Sequence, residues 1–514
     1  MASIWRNNLR LPFSEGEVNR TLLIESVDSN ISLHQQCIYG RIICSAKNLT
    51  PVFLSEPSKS HRLRNILERY FDQFQIIDKP VLPVWKKTSI FFAACSIWSF
   101  QLLRKNLITL KWRGRLIGDI VYDQYLASCC RGTVCYSDKR LAKNIYRVLC
   151  AIETARLALN KVNPRAALLS HRVGLSAAPL AVACEEYAVP IYSSGGGMYG
   201  TLMRSMQRKD YEYTATPEEL SPLLELPGNE FDRMFESIKG ELFQGAFNAD
   251  SKLAFANKLY TSRAEFAFDY GLDAANKNVF IMLHAFTDYP HSHFNGMLFK
   301  DFLDWFLRTL EFVSQEKSVN WIIKQHPSSH FYPVEDFDPD ELKRKYSSST
   351  LVFMPQGADF DSRSICHVGD AIVTCLGSAG FEFSALCGVP TVTASDNPYS
   401  DAGFAINPRS KQEYFDVLRN IRMVDRLAGE TLQRARATFM FIHRLSRVPM
   451  HAVINLSHAE QRELQHDDKY FDMVDANAAA NEDLIAGELD KYIDAVAQPG
   501  FRALRSDPSD YWGI

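Results

Sequence analysis

Apolar residues in this chain fall into two patterns. Short continuous runs at Ala166–Leu169, Val189–Tyr192, Asn278–Leu283, Trp321–Ile323, Thr350–Met354, Ala371–Thr374 and Val389–Thr393 read as buried strands. Gln36–Cys44 and Thr50–Leu54 carry the same signature near the start. Between the runs, apolar positions recur at helical spacing over Ser60–Phe74, Ser137–Lys161, Ser176–Tyr187, Phe299–Val313, Lys411–Ile421 and Asp425–Leu445. Glu218–Phe247 and Lys252–Tyr270 also read as helical. Alternation of strand and helix predicts an α/β protein with parallel sheets. Its extent predicts two doubly wound domains facing a central cleft. The expected division is 1–275 for the first domain, 276–450 for the second, and 451–514 for a helical extension. That extension, with an alanine-rich helix around Ala476–Ala495, is expected to pack back on the first domain.

Composition narrows the class further. Apolar residues make up 46% of the chain and charged residues 23%, the balance of a globular protein. A net charge of −3 gives no reason to expect a nucleic acid partner. The cysteines show no C-x-x-C and no metal-ligand spacing, and the start MASIWRNNLR lacks an apolar core. Free thiols in a reducing cytoplasm are therefore expected. The most apolar window, Ser89–Leu103, is too short to span a bilayer and reads first as a buried helix. Its flanks Lys86, Lys87, Arg104 and Lys105 leave room for a peripheral role at the inner membrane surface.

Candidate chemistry collects where the runs end. In the second domain the segments His284–His293, Lys324–His330 and Leu376–Glu382 each follow a strand, so in a parallel sheet they share one edge. Cys375–Gly380 is a glycine-rich turn opening a helix that Gly388 stops. The free N–H groups at such a helix start favour an anion. Lys324 and His326 suit a phosphate, with Ser378 and the Ala379 amide at the helix start. Glu382 suits ribose hydroxyls, and Asp288 is a candidate nucleophile or base. Three histidines and an aspartate within His284–His293 raise a metal set. They fall in a loop broken by Pro290, without H-E-x-x-H, so the segment reads as substrate-facing and no metal is expected. There is no Walker motif and no G-x-G-x-x-G, and Leu376 stands where a G-x-S-x-G would need glycine. Kinase, dehydrogenase and α/β-hydrolase readings are accordingly weak. In the first domain Asp119 and Asp123 share one helix face near Tyr122, and Asp119 is either the cap of that helix or a pocket residue. His171 lies at the carboxyl end of Ala166–Leu169, where open sheets bind ligands, and the glycine loop Ser193–Gly197 follows the next strand.

These residues resemble a known group. Lys324-Gln325-His326-Pro327, then Gly377-Ser378-Ala379-Gly380-Phe381-Glu382, Gly388-Val389-Pro390 and Tyr399-Ser400-Asp401-Ala402-Gly403, are similar to the capsule and lipopolysaccharide biosynthesis glycosyltransferases, including the retaining β-Kdo transferases. The resemblance covers roughly Trp112–Leu445. It implies a GT-B fold of two Rossmann-like domains, with the acceptor on the first and a nucleotide-sugar donor on the second. It implies CMP as the nucleotide and Kdo as a candidate sugar. His326 and Pro327 would sit at the cytidine phosphate, with Gly377, Ser378, Ala379 and Glu382 around phosphate and ribose. No cofactor beyond the donor and no essential metal are implied. Asp288 would correspond, by its place after the first strand of the second domain, to an aspartate that forms a covalent sugar adduct. His326 and Lys324 would assist departure of the nucleotide, and His171 or Asp119 would meet the glycan or lipid-linked acceptor or act as base, with Asp288, His326 and His171 as the catalytic candidates. The rival readings are a sugar-nucleotide epimerase or a UDP- or GDP-sugar transferase on the same fold, and a non-catalytic component of polysaccharide assembly.

Overall fold

The computed structural model describes residues 20–194, 201–210, 213–244, 254–255, 257–292, 296–448, 450–454, 456, 458–506 and 508. The described residues divide into two compact units. The first lies within Met1–Val121, Tyr136–Glu212 and Ser446–Ser506, the second within Tyr122–Cys135, Tyr213–Leu445 and Asp507–Ile514. This differs from a single cut near 276, because chain that precedes the second sheet packs with it. Asp123, for example, accepts from the amides of His291 and Ser292 at 2.6–3.2 Å, and the Tyr122 hydroxyl donates to Asp301 at 2.6 Å.

The first unit contains β1 (Thr21–Glu25), β2 (Thr50–Ser55), β3 (Gln75–Asp78), the hairpin β4 (Lys111–Trp112) and β5 (Arg115–Leu116), β6 (Ala166–Leu169), β7 (Ile191–Ser193) and β8 (Met203–Ser205). Its main sheet has the order β3-β2-β1-β6-β7-β8, parallel except for β8. Its helices are α1 (Asn30–Lys47), α2 (Ser60–Leu67), α3 (Val84–Arg104), the start of α4 (Gly118–Cys129), α5 (Lys139–Val162) and α6 (Gly174–Glu186). On one face Leu22, Ile24 and Phe53 pack with α1 and with the late helices Lys469–Ala480 and Glu482–Ala497. On the other, Leu23 and Val52 meet α5 and α6. Burial on both faces explains why the strands read as unbroken apolar runs.

Several expectations change here. Gln36–Cys44 is not a strand but the middle of α1, which begins where the Ser29 hydroxyl caps the Ser32 amide. Every residue from Leu33 to Cys44 is buried, so the helix shows no polar face and its run of apolar residues mimics a strand. The alanine-rich tail helix is two helices that meet at Asn481. The window Ser89–Leu103 is not a buried helix: within α3 only Ile90, Ala94 and Gln101 are buried. No helix among the described residues is long and apolar enough to cross a membrane. Cys366 and Cys387 form a disulfide, Cα atoms 5.3 Å apart, so the expectation that all thiols are free does not hold.

The second unit holds β9 (Asn278–Met282), β10 (Asn320–Lys324), β11 (Leu351–Met354), β12 (Ala371–Thr374) and β13 (Thr391–Thr393) in an all-parallel sheet ordered β11-β10-β9-β12-β13. Helix α7 (Phe302–Val313), capped by the Asp301 carboxylate, and α9 (Lys411–Arg419) cover one face; α8 (Ala379–Cys387) and α10 (Gly429–Met440) pack together. Helix α10 runs on into a π-helical turn at Phe441–Leu445, the expected long helix around Asp425–Leu445 in two parts. In both sheets the first strand sits between the second and fourth of the same parallel set. This is the doubly wound Rossmann-like order, and it bears out the α/β class.

Candidate functional site

In a doubly wound sheet, neighbouring strands whose connections leave toward opposite sides open a crevice at their carboxyl ends. In the second unit that point lies between β9 and β12. His284 follows β9, Lys324 ends β10, and Gly377–Ala379 follow β12 into α8. A pocket of about 130 Å³ opens there, lined by His284, Lys324, Gln325, His326, Pro327, Thr374, Gly377, Ser378, Ala379 and Glu382, with Phe255 on one wall. The volume is below the roughly 300–1,000 Å³ of whole-ligand pockets, a size for a phosphate and a pentose rather than a complete nucleotide sugar. Each sequence-nominated nucleotide residue, Lys324, His326, Pro327, Gly377, Ser378, Ala379 and Glu382, thus lines one cavity.

The electrostatics of this pocket favour an anion. The Lys324 ammonium has no hydrogen bond or ion pair among the described residues, and burial pulls its pKa down to about 8 against the opposing charge of Asp361. At the start of α8, the amides of Gly380, Phe381 and Glu382 bond back to the carbonyls of Gly377 and Ser378. The Ser378 and Ala379 amides are left as the open helix-start donors. The turn is fixed from beneath: the Tyr399 hydroxyl donates to the Gly377 carbonyl at 2.8 Å. A Cβ on Gly380 would come within 2.3 Å of that same hydroxyl, so only glycine fits. The Ser328 amide donates to His326 Nδ1 at 3.2 Å, so the neutral ring carries its proton on Nε2. Glu382 is 9% exposed, with Oε1 3.5 Å from His443 Nε2.

His284 is the residue whose place here the sequence conceals. Its ring stacks on Phe302 with centroids 4.3 Å apart, and its Nε2 accepts from the Leu376 amide at 3.2 Å. A nitrogen that accepts from a backbone N–H carries no proton, so the ring proton sits on Nδ1, which has no partner among the described residues. Burial, and then the neighbouring His326 charge, depress its pKa to about 3, and the ring is neutral at working pH. The only signal in the sequence was its position one residue past a clean apolar run.

The other nominated residues lie elsewhere. Asp288 is exposed and does not line the pocket, though its amide holds the turn by donating to the Ala285 carbonyl at 3.0 Å. His291 is tied down, its Nε2 2.6 Å from the Lys300 carbonyl, and His293 lies outside the described residues. Most of the glycine loop Ser193–Gly197 does too. Asp119 corrects its expectation as an acceptor contact: it is fully buried, with oxygens 2.8 Å from Arg208 Nη1 and 3.0 Å from Lys209 Nζ. Burial alone would raise its pKa, but those two cations outweigh it and hold the carboxyl below its ordinary range. An acid so paired is a structural anchor for the start of α4.

The first unit has its own crevice, between β1 and β6. His171 is exposed just past β6, and Glu25 is buried at the end of β1. The amide and hydroxyl of Ser170 both donate to Glu25 Oε2, at 3.2 and 3.1 Å. The same hydroxyl lies 3.0 Å from His171 Nδ1. Since the Ser170 proton is given to Glu25, His171 Nδ1 donates to the Ser170 oxygen and Nε2 keeps its lone pair. Burial raises the Glu25 pKa, opposed by the Ser170 amide and the His171 charge. Sequence reading missed Glu25 entirely.

No protein family matches this chain, and no curated protein does. Among solved structures, the chain is similar to Thermosulfurimonas dismutans KpsC, a beta Kdo 2,4 transferase, at 13% identity over 55% of this chain and 80% of that one, TM-score 0.34. It is similar to Acinetobacter baumannii MurG at 10% identity over 83% and 95% of the two chains, TM-score 0.26. A UDP-N-acetylglucosamine 2-epimerase from Rickettsia bellii matches at 11% identity over 83% and 95%, TM-score 0.28. Likenesses this distant assign neither family nor activity, and the chemistry of the site stands on its own residues.

Proposed function

We propose that this chain is a metal-independent glycosyltransferase of the GT-B type, holding the phosphate and ribose of a nucleotide-sugar donor in the second-unit pocket and passing the sugar to a glycan acceptor. The observation that carries the reading is the meeting in one pocket of the Lys324 ammonium, unpaired among the described residues, two open helix-start amides, an imidazole and a carboxylate. The first group complements a phosphate and Glu382 complements ribose hydroxyls. The motif resemblance supports CMP as the nucleotide, Kdo as the sugar, and capsule or lipopolysaccharide as the product.

In this reading the bond from the anomeric carbon to the phosphate oxygen breaks and its electron pair leaves with the nucleotide. Lys324, His326 Nε2–H and the Ser378 and Ala379 amides stabilise the charge that grows there. His284 Nδ1–H adds a neutral donor. The acceptor hydroxyl forms the new glycosidic bond and gives its proton to His171 Nε2. Asp288 is assigned to the sugar: either its carboxylate bonds to the anomeric carbon as the nucleotide leaves and is then displaced by the acceptor hydroxyl, which gives retention, or it orients the acceptor.

The test is a melting-temperature panel with CMP, UDP, GDP and ADP on wild type and on Glu382→Ala. CMP should stabilise the wild type, and Glu382→Ala should weaken that binding by about 10- to 100-fold, the loss of hydrogen bonds to a charged group. No shift with any nucleotide, or an equal shift in the variant, would sink the assignment.

A lipid-linked acceptor is supported by α3, where Trp85 is 72%, Phe92 66% and Leu103 85% exposed near Lys87, Arg104 and Lys105. Wild type should sediment with phosphatidylglycerol vesicles, and the Trp85→Glu/Phe92→Glu double variant should stay in the supernatant. Equal sedimentation of both would remove α3 from the membrane reading.

A further inference from the structure

We propose that the first unit carries an oxyanion site at the amino-terminal edge of its sheet, built for a phosphorylated or carboxylated saccharide. A cleft of about 500 Å³ opens there, on the edge opposite the carboxyl ends of the strands. Four cations line it, each from a different segment: Arg20 just before β1, Lys47 in the last turn of α1, Arg165 just before β6, and Arg204 in β8. Among the described residues no carboxylate lines the cleft. The guanidinium groups of Arg165 and Arg204 make no hydrogen bond or ion pair among the described residues, while the Lys47 ammonium donates to the Ala497 carbonyl at 3.2 Å.

The convergence is built by the fold. Arg165 is fixed at the foot of the sheet, its amide donating to the Thr21 carbonyl at 2.9 Å. Arg204 is the direct cross-strand partner of Tyr192, and its amide donates to the Arg502 carbonyl at 2.6 Å. Burial and the Arg204 charge both lower the Lys47 pKa, the mark of like charges held together. Like charges held together favour an anion between them. Planar guanidinium forks suit the two or three oxygens of a carboxylate or phosphate. The floor adds a second preference: Tyr192 and Phe501 stack with ring centroids 6.4 Å apart and planes 22° off parallel, and Phe501 is partly exposed. A flat apolar platform beside cations matches an acidic sugar better than a bare ion. The inference is independent of the transfer reading, because the cleft and the nucleotide pocket share no residue and lie in different units.

Calorimetry on the full chain tests it with glucose 1-phosphate, a trimer of galacturonic acid, neutral glucose and phosphatidylglycerol vesicles. At least one of the two acidic sugars should bind and glucose should not. The Arg165→Gln/Arg204→Gln double variant should weaken that binding by at least about ten-fold, as loss of charge-assisted hydrogen bonds demands. Phosphate or carboxylate as the preferred group follows from which acidic sugar binds more tightly. If the double variant fails to fold by circular dichroism, Arg204→Gln alone, on an exposed side chain, carries the test. Lys324→Ala should leave this binding intact. The proposal is overturned if neither acidic sugar binds, if glucose binds equally, if vesicles alone bind, or if the arginine variants bind like wild type.

Discussion

Between β9 and β12 the second unit gathers an ammonium, open amides and two imidazoles whose ring protons backbone amides assign. At the matching crevice of the first unit, between β1 and β6, a buried carboxyl holds a serine that holds an exposed histidine. The strand order is shared, but one crevice is set to receive negative charge and the other to present a lone pair. Topology decides where chemistry can sit, and the residues ending each strand decide its sign.

The comparison breaks most sharply at His171. If it is the base, His171→Ala should lower transfer by about 10²–10⁴-fold while the melting shift induced by nucleotide stays as in wild type. Transfer and nucleotide binding falling together would mean that the first crevice merely supports the fold. Lys324→Ala should act the opposite way, abolishing the nucleotide shift and lowering turnover by roughly 10²–10³-fold, the effect of removing one preorganised donor. Retained nucleotide binding in that variant would place the anion elsewhere.

A smaller effect sharpens the same contrast through pH. With its pKa lowered from 10.5 to about 8, Lys324 loses its proton as pH rises through about 8, so nucleotide affinity should fall there. Between about 8 and 10.5 the unfolded chain holds more protons at this lysine than the folded one, so its contribution to the stability of the empty protein rises with pH. Affinity and that contribution should therefore move in opposite directions, and a Kd flat from pH 7 to 9.5 would count against an ammonium in the site. His284 behaves differently: its folded pKa of about 3 lies below the ordinary 6.5, so its share of stability is present above 6.5 and is lost as pH falls toward 3.

Much of the second unit was legible. Its strands are clean apolar runs ended by polar loops, and the glycine-rich turn before Glu382 declares a helix start. The roles of His284 and Glu25 were not legible, because each depends on a neighbour brought in by the sheet rather than by the chain. Asp119 misled for a related reason: its spacing from Asp123 was visible, but the partners that neutralise it lie at Arg208 and Lys209. The α1 error has another origin, since a helix buried on every side loses the period by which helices are recognised.

The late helices that seal the first sheet have a consequence for how the protein is made. Tyr470, Phe471, Val474, Ile485 and Leu489 complete a core begun by Leu22 and Ile24. The ribosome delivers them only after the second unit's long stretch, Tyr213–Leu445, has been made. Until then α1 covers that face of the first sheet without them, and its core is incomplete, each missing side chain forgoing about 1.5–3 kcal/mol of burial. The second unit, whose described elements lie almost entirely within one continuous stretch, is then free to fold first, while the first waits for translation to reach its end.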